Sequence, residues 1–299
     1  IPSTGTGNTT NPFNLTLGVQ SAVWAKGIRN NQGFAYDPVL NRLYGSSHGP
    51  YSDDEINVIE GGMNYGHPYV IGYKDGNVNG TTAGAAPNFN PAHPSSCPLI
   101  VDEVHNADSL GVTYRDPLFS AYPNSPTFPS IKSLWDVTTG TNAQWPSEGW
   151  SGLDLYSNTL VPGWKNSLIA TSLKWGRLVR IRLNATGTMT APTNTAADTV
   201  SYLGSINRYR DIAFHPNGKE MFVIMDRGTS GSGPAAANHR RLWLYPNGGQ
   251  CYAHQPDERS RAGSPAKRAI FDRRNGDWRE LFAREYWGVG PRRTGVFLR

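Results

Sequence analysis

The stretch GLDLYSNTLVPGWKNSLIATSLKWGRLVRIRL, residues 152–183, sets the architecture. It is a short strand, a turn carrying Asn, Pro and Gly, and a second strand that runs on into a third, RLVRIRL at 177–183. The same unit appears earlier as GFAYDPVLNRLYGSS (33–47) and later as RDIAFHPNGKEMFVIMD (210–226), the latter followed by RRLWLYP (240–246). Within it, Ile212 and Phe214, then Met221, Val223 and Met225, alternate as strands with a buried face require. The second and third units start about 58 residues apart, near the period of a propeller blade with its connecting loops. The first and second lie about twice as far apart, so an irregular blade is expected across 90–145. The expectation is an all-β chain, a β-propeller of about four blades, with loops at one face building the site.

Composition agrees. Among 299 residues there are 33 Gly, 22 Pro, 9 Trp and 14 Tyr, the profile of a turn-rich β protein with aromatic packing. No apolar run approaches the roughly 20 residues of a membrane span. The chain opens on Ile1 without a leader, so a signal peptide is expected to have been removed. Four sequons, at Asn8, Asn14, Asn79 and Asn184, make a secreted, extracellular glycoprotein the expectation. Cys97 and Cys251 could pair, but spacing alone does not decide it, and no zinc-type spacing exists.

Three segments are expected: a polar stretch at 1–24, the propeller at 25–250 and a tail at 251–299. The net charge of +5 resides in the tail, which holds 11 Arg and Lys against 6 Asp and Glu. The tail lacks aromatic-basic repeats, so a solvated appendage is expected and no nucleic-acid partner. Its residues Trp278, Leu281, Phe282 and Tyr286 would share one face of a short helix after a disordered linker.

The acids Asp53, Asp54 and Glu55, with Asp75 beyond a Gly-rich turn, stand out in a chain sparing with charge. Ca²⁺ takes six to eight oxygens on a loop flexible enough to wrap it, and Glu55 and Asp75 can supply carboxylates. The spacing is not an EF-hand, and a turn capping the next strand competes evenly with a metal site. Cations at loop mouths form the second feature: Arg29 beside Asn30, Lys174 after an apolar strand, and Arg208 and Arg210 two apart. Such groups suit a small polyanion, although solvated charge is the usual fate of Lys and Arg. Trp145 and Trp150 could stack on a sugar face, with core packing the commoner outcome.

The segments GIRNNQGFAYDP, SSHGPYSDDEINVIEGGMNYGHPYVIGYKDG, NSLIATSLKWGRLVRIRL and INRYRDIAFHPNGKEMFVIMD resemble, in order, the C-terminal part of the soluble PQQ-dependent glucose/sorbosone dehydrogenases. The sequons and turn-rich style make the chain most similar to the fungal secreted pyranose dehydrogenases of that group. The resemblance implies a six-bladed propeller with pyrroloquinoline quinone (PQQ) and Ca²⁺ at one mouth. It implies that Arg29 and Asn30 contact the quinone and that Lys174, Arg208 and Arg210 bind its oxygens and carboxylates. The carbonyls of Gly49 and Pro50 would hold the catalytic Ca²⁺. A structural Ca²⁺ would be held by Glu55 and Asp75 with the carbonyls of Tyr65, Ile71 and Tyr73. The implied activity is oxidation of a free sugar at its anomeric carbon, with electrons passed to an external acceptor such as a haem domain or another redox protein.

Two features of that family have no counterpart. Its general base is a His preceded by Asp in an N-terminal blade, and none of His48, His67, His93, His105, His215, His239 and His254 sits in that context. An upstream cofactor-contacting Gln is missing too. Roughly the first two blades are therefore expected to be absent, which leaves a non-catalytic calcium-binding propeller remnant, acting as a carbohydrate or partner binder, as the alternative. Open sheet edges in such a remnant predict a marginal or self-associating chain.

Overall fold

Sheets built as simple antiparallel meanders dominate the computed structural model. It describes residues 11–14, 21–83, 98–122, 131–132, 147–190, 201–227 and 233, and the strands within 269–297. The chain divides into two units, residues 1–150 and 151–299.

In the first unit, β1 (Asn31–Asp37), β2 (Arg42–Ser47) and β3 (Glu55–Ile59) form consecutive antiparallel hairpins. Asp37 closes the first turn by accepting the Val39 and Leu40 amides at 2.8 and 3.1 Å. Two short strands, β4 (Thr81–Thr82) and β5 (Leu99–Ile100), pair with each other, and the helix α1 (Glu103–Ser109) follows. Asp102 caps α1 by accepting the His105 amide. The chain then returns to the first sheet: β6 (Phe119–Ser120) pairs with β3, giving the order β1-β2-β3-β6. This differs from the separate irregular blade expected over 90–145 as far as β6 is concerned, while residues 90–97, 123–130 and 133–145 lie outside the described residues. Within that region β6 completes the sheet begun at Asn31, after an excursion that carries the Gly-rich turn, the separate β4–β5 pair and α1. Beneath that excursion, Tyr51, Ile71, Val78, Ala83, Ile100 and Ile131 form a buried apolar cluster.

In the second unit, β7 (Trp150–Tyr156, its first residue belonging to unit one), β8 (Ser167–Ser172), β9 (Arg177–Arg182) and β10 (Ser201–Tyr202) form a sheet in the order β10-β9-β8-β7. β11 (Asn207–Phe214) and β12 (Met221–Arg227) form the next hairpin, closed by Gly218 at φ 70°. The two sheets meet through β7 and β11. Ser151 Oγ donates to the Arg210 carbonyl, and Asp154 accepts the Phe214 amide at 2.6 Å. A Cβ on Gly152 would lie 2.6 Å from Asp211 Cα, so only glycine permits this approach. Ile169, Leu178, Tyr209, Ile212, Val223 and Met225 fill the space between the sheets.

The tail forms β13 (Ala269–Arg274), β14 (Asp277–Phe282), β15 (Arg284–Trp287) and β16 (Thr294–Phe297). β13 pairs with β14, and β16 lies between β12 and β15. This corrects the helix expected around Trp278, Leu281, Phe282 and Tyr286. Aromatic residues favour pleated strands, and the apparent helical stripe came from their density rather than a 3.6-residue period. The described residues hold three four-stranded sheets. The strand expected at 240–246, the linker after Cys251, and Cys97 and Cys251 themselves lie outside the described residues.

Candidate functional site

The acid cluster lies at the start of β3 and is buried, with Asp53 and Asp54 both at 0 % exposure. Asp53 adopts φ 57°, a left-handed kink that turns neighbouring carboxylates apart. Each carboxylate has its own task. Asp54 binds two loops, accepting the Gly49 amide at 3.1 Å through one oxygen. Its other oxygen accepts Ser147 Oγ, the Glu148 amide and the Gly149 amide at 2.8, 2.6 and 3.0 Å. Its own carbonyl accepts the Trp150 indole N–H at 3.1 Å. Trp150 is fully buried by this arrangement and offers no face to a sugar. Trp145 lies outside the described residues.

Asp53, Glu55 and Glu103 surround the Gly-rich turn. Glu55 accepts the Gly72 amide at 3.0 Å and Asn57 Nδ2 at 2.8 Å. Glu103 accepts the Ile71 and Gly76 amides, each at 2.8 Å. Asp53 accepts Ser120 Oγ and Asn77 Nδ2 at 2.8 and 2.9 Å, and also Ser52 Oγ. Gly72 has φ 70°, and a Cβ there would lie 2.6 Å from the Asp53 side chain, so the turn can only close on glycine.

Burial raises the carboxyls of Asp53 and Glu55 to about 7 and that of Glu103 to about 8. Nearby carboxylates add to the rise, Asp75 for both Asp53 and Glu103, and Asp54 for Glu55. The side-chain oxygens of Asn57 and Asn77 are buried without a hydrogen-bond partner, although each amide nitrogen donates to a carboxylate of the cluster. Desolvated carboxylates beside orphaned amide oxygens are an all-oxygen donor set, which fits a hard cation such as Ca²⁺. Among the described residues, no group of three or more His, Cys, Asp or Glu stands in metal-binding geometry. A cation here would therefore need backbone and amide oxygens besides carboxylates.

Of the residues expected to hold a structural Ca²⁺, Glu55, Ile71, Tyr73 and Asp75 fall in this one neighbourhood. The Ile71 amide reaches Glu103, Tyr73 accepts the Asp75 amide at its carbonyl, and Asp75 accepts the Asn77 amide at 3.0 Å. Tyr65 is anchored differently, its hydroxyl donating to the Val58 carbonyl and its amide to Lys26. Asp53 was read as part of the acid cluster but not assigned to the ion, and Asn57, Asn77 and Glu103 went unread as members of it. Asn77, two residues after Asp75, carried a local signal. Glu103 carried none, because only the fold brings the start of α1 to the turn.

Gly49 is fixed from both sides, its amide by Asp54 and its carbonyl by Arg29 Nη1 at 3.3 Å. A Cβ on Gly49 would fall 1.7 Å from the Ser52 carbonyl oxygen. Arg29 also reaches the carbonyls of His48 and Ala83. Asn30 accepts the Gln32 amide nitrogen at 2.7 Å. Pro50 follows in the same loop and is half-buried. The His48 imidazole contacts the Trp150 carbonyl through Nε2, which fixes that nitrogen as the donor.

In the second unit, a register shift between Tyr209 and Asp211 lets Arg208 and Arg210 reach one carboxylate. Arg208 grips Asp226 in bidentate fashion at 2.8 and 2.9 Å, and Arg210 Nε lies 2.7 Å from the second oxygen. The two guanidinium groups hold the Asp226 carboxyl below its ordinary value against the opposing effect of burial. Asp226 was not anticipated, although its place at the end of the Met221-Val223-Met225 alternation puts it opposite Arg208. Lys174 stands at the tip of the β8–β9 hairpin, its ammonium 5.4 Å from the Trp175 ring centroid.

Residues 1–94 and 102–232 match the glucose/sorbosone dehydrogenase family model. The chain belongs to the glucose/sorbosone dehydrogenase family. It is 34% identical over 222 residues to quinoprotein glucose dehydrogenase B of Acinetobacter calcoaceticus, covering 70% of this chain and 44% of that protein. It is 47% identical over 58 residues to an aldose sugar dehydrogenase of Escherichia coli strain K12, covering 19% of this chain and 16% of that one. A solved structure, the PQQ-bound form of aldose sugar dehydrogenase from Streptomyces coelicolor, is similar at a TM-score of 0.44 and 23% identity, over 78% of this chain and 46% of that one. The chain spans less than half the length of the curated relatives named here.

Proposed function

We propose that this member of the family serves a PQQ- and Ca²⁺-dependent dehydrogenase that oxidises the anomeric carbon of free aldoses or ketoaldoses and passes electrons to an external acceptor. The observation that carries the reading is the oxygen-lined, desolvated cluster around the Gly-rich turn, in a chain whose family match includes every cation assigned to the cofactor. The relatives' names, quinoprotein and aldose sugar dehydrogenase, support the cofactor and substrate class.

A bound quinone would supply the acceptor for the sugar's hydride equivalent, and a bound Ca²⁺ would supply Lewis acidity beside it. Arg208 and Arg210 would hold its carboxylates, a task suited to guanidinium forks already oriented by Asp226. Lys174, Arg29 and Asn30 would complete the cradle. Gly49 and Pro50 would offer carbonyls to the catalytic ion, with Gly49 held in place by Asp54. Glu55 and Asp75, with the carbonyls of Tyr65, Ile71 and Tyr73, would hold the structural ion. Asp53, Asn57, Asn77 and Glu103 shape its surroundings.

The sheet repeat supports a β-propeller, and a closed ring would require blades beyond the three sheets described here. The sequons and loop style support a secreted protein akin to the fungal pyranose dehydrogenases.

A second reading, a calcium-binding propeller remnant without catalysis, is favoured by one observation. The imidazole nearest Gly49, His48, has its Nε2–H committed to the Trp150 carbonyl, which suits a residue that orients the loop. The deciding experiment is titration of chelator-stripped protein with PQQ, with and without Ca²⁺, then addition of L-fucose, glucose and glucosone with a redox dye. Calcium-dependent binding with dye reduction supports the dehydrogenase. Binding without turnover supports the remnant, and no binding at micromolar PQQ overturns the quinoprotein reading.

A further inference from the structure

Of the four sequons, two have both Asn and Thr among the described residues, and the fold treats them in opposite ways. Asn184 opens the tight loop after β9. Its amide donates to the Met189 carbonyl at 2.9 Å, and its carbonyl accepts the Gly187 amide at 3.1 Å. Its side-chain oxygen gathers three donors: Thr186 Oγ1 at 3.2 Å, the Thr188 amide at 3.1 Å and the Met189 amide at 3.3 Å. Every contact of the carboxamide therefore goes through oxygen, and among the described residues nothing accepts from its nitrogen. Ala185, Thr186, Thr188 and Met189 are all exposed. A glycan on the nitrogen would leave the oxygen and its three donors in place.

Asn79 is the reverse case. Its oxygen accepts the Glu103 amide at 2.8 Å, and its nitrogen lies against the Gly76 backbone, where a Cβ would come within 3.3 Å. The sequon threonine, Thr81, is at 0 % exposure in β4, and its hydroxyl donates to the Val78 carbonyl at 2.6 Å. A bulky polar sugar here would be forced against the turn that the buried carboxylates hold.

We infer that the folded protein carries an N-linked glycan at Asn184 and none at Asn79. This rests on the proposal that the chain is exported. Asn184 thus becomes a modification site on the second unit, while the Asn79 sequon is a structural element of the first.

The test is secretion of the full chain from yeast. Protease-resistant protein from the medium and from the cells is then treated with peptide N-glycosidase in ¹⁸O water and mapped by mass spectrometry. The expected result is ¹⁸O-Asp at position 184 and unmodified Asn at 79, with the label at 184 abolished in Thr186→Ala and retained in Thr186→Ser. Unmodified Asn184 in the protease-resistant fraction, or label at 79 there, overturns the inference. Because glycans are added on entry to the secretory pathway, chain retained in the cells still reports on the site. Protein from the natural source tests export separately: an exported chain bare at Asn184 refutes the site, whereas a chain confined to the cytosol refutes only the export reading.

Discussion

The turn around Gly72 and the β11–β12 hairpin both concentrate charge, yet they solve opposite problems. At the turn, Asp53, Glu55 and Glu103 are buried among amides and amide oxygens with no cation bonded to them among the described residues. At the hairpin, one carboxylate answers two arginines. A buried like-charged cluster is a liability unless protonated or bound to a cation, whereas a mixed cluster is already balanced. The first region is therefore eased by protons or by a ligand of opposite charge, a dependence that the second, already paired, does not share.

The largest expected effect follows from that dependence. Saturating Ca²⁺, at 100 to 1,000 times its dissociation constant, should stabilise the first unit by about 3–4 kcal/mol over chelator-treated protein. Hydrogen exchange should localise the gain to peptides spanning 48–77. Without metal, the raised carboxyls of Asp53 and Glu55 (about 7) and Glu103 (about 8) bind protons in the folded state that the unfolded chain has released. Stability should then be greatest below the unfolded carboxylate pKa of about 4 and fall as pH rises towards 8. Ca²⁺ should flatten that slope. A Ca²⁺-insensitive melting curve at pH 7.5 would remove the basis of the comparison.

Glu103→Ala comes next. It leaves the Ile71 and Gly76 amides without their acceptor. An unpaired buried donor costs about 1–3 kcal/mol and the Gly76 amide, only part-buried, costs about 1 kcal/mol, so a loss of about 2–4 kcal/mol is expected in urea unfolding of the metal-free chain. A loss below 1 kcal/mol would mean that water or another oxygen replaces the carboxylate.

How far the sequence reached follows the same division. The hairpins β1–β2, β8–β9 and β11–β12 were legible because turn residues and alternation are local. Glu55, Asp75, Arg208 and Arg210 were legible as candidates because they sit within or beside those patterns. Glu103 was not, since its link to the turn exists only after the chain has crossed β4, β5 and the start of α1. Nor was the return of β6 to β3, because a two-residue strand carries no period. The misread helix in the tail shows the converse: a window dense in aromatics satisfies a helical wheel by chance.

Asp226→Asn probes the balanced region and should cost less, about 1–2 kcal/mol, because the pair is partly solvated, with side-chain exposures of 14% for Arg208 and 24% for Asp226. Its pH dependence has the opposite sign to that of the turn. Asp226 is depressed in the folded state, so its contribution is present above the unfolded carboxylate pKa of about 4 and lost as pH falls through the folded value. Wild type and variant should therefore converge in stability only at strongly acid pH. The variant should also bind PQQ more weakly if Asp226 orients the two forks. Unchanged affinity with the expected stability loss would confine Asp226 to a structural role.

The smallest effect is expected where charge is merely decorative. Lys74 and Asp108 approach to 2.7 Å in the same excursion that carries the turn, but both side chains are well exposed, at 40% and 60%. Water screens such a pair and two long side chains lose freedom in making it, so Lys74→Ala should leave the melting temperature and its Ca²⁺ response unchanged within error. Lys74 lies between Tyr73 and Asp75, both assigned to the structural ion, which gives the result its value. An unaltered Ca²⁺ response would mean that the cation senses the buried oxygens of the turn rather than the net charge of its surface. An altered one would mean that the local field of exposed charges sets the affinity, and the contrast between the buried and the balanced regions would then be one of degree.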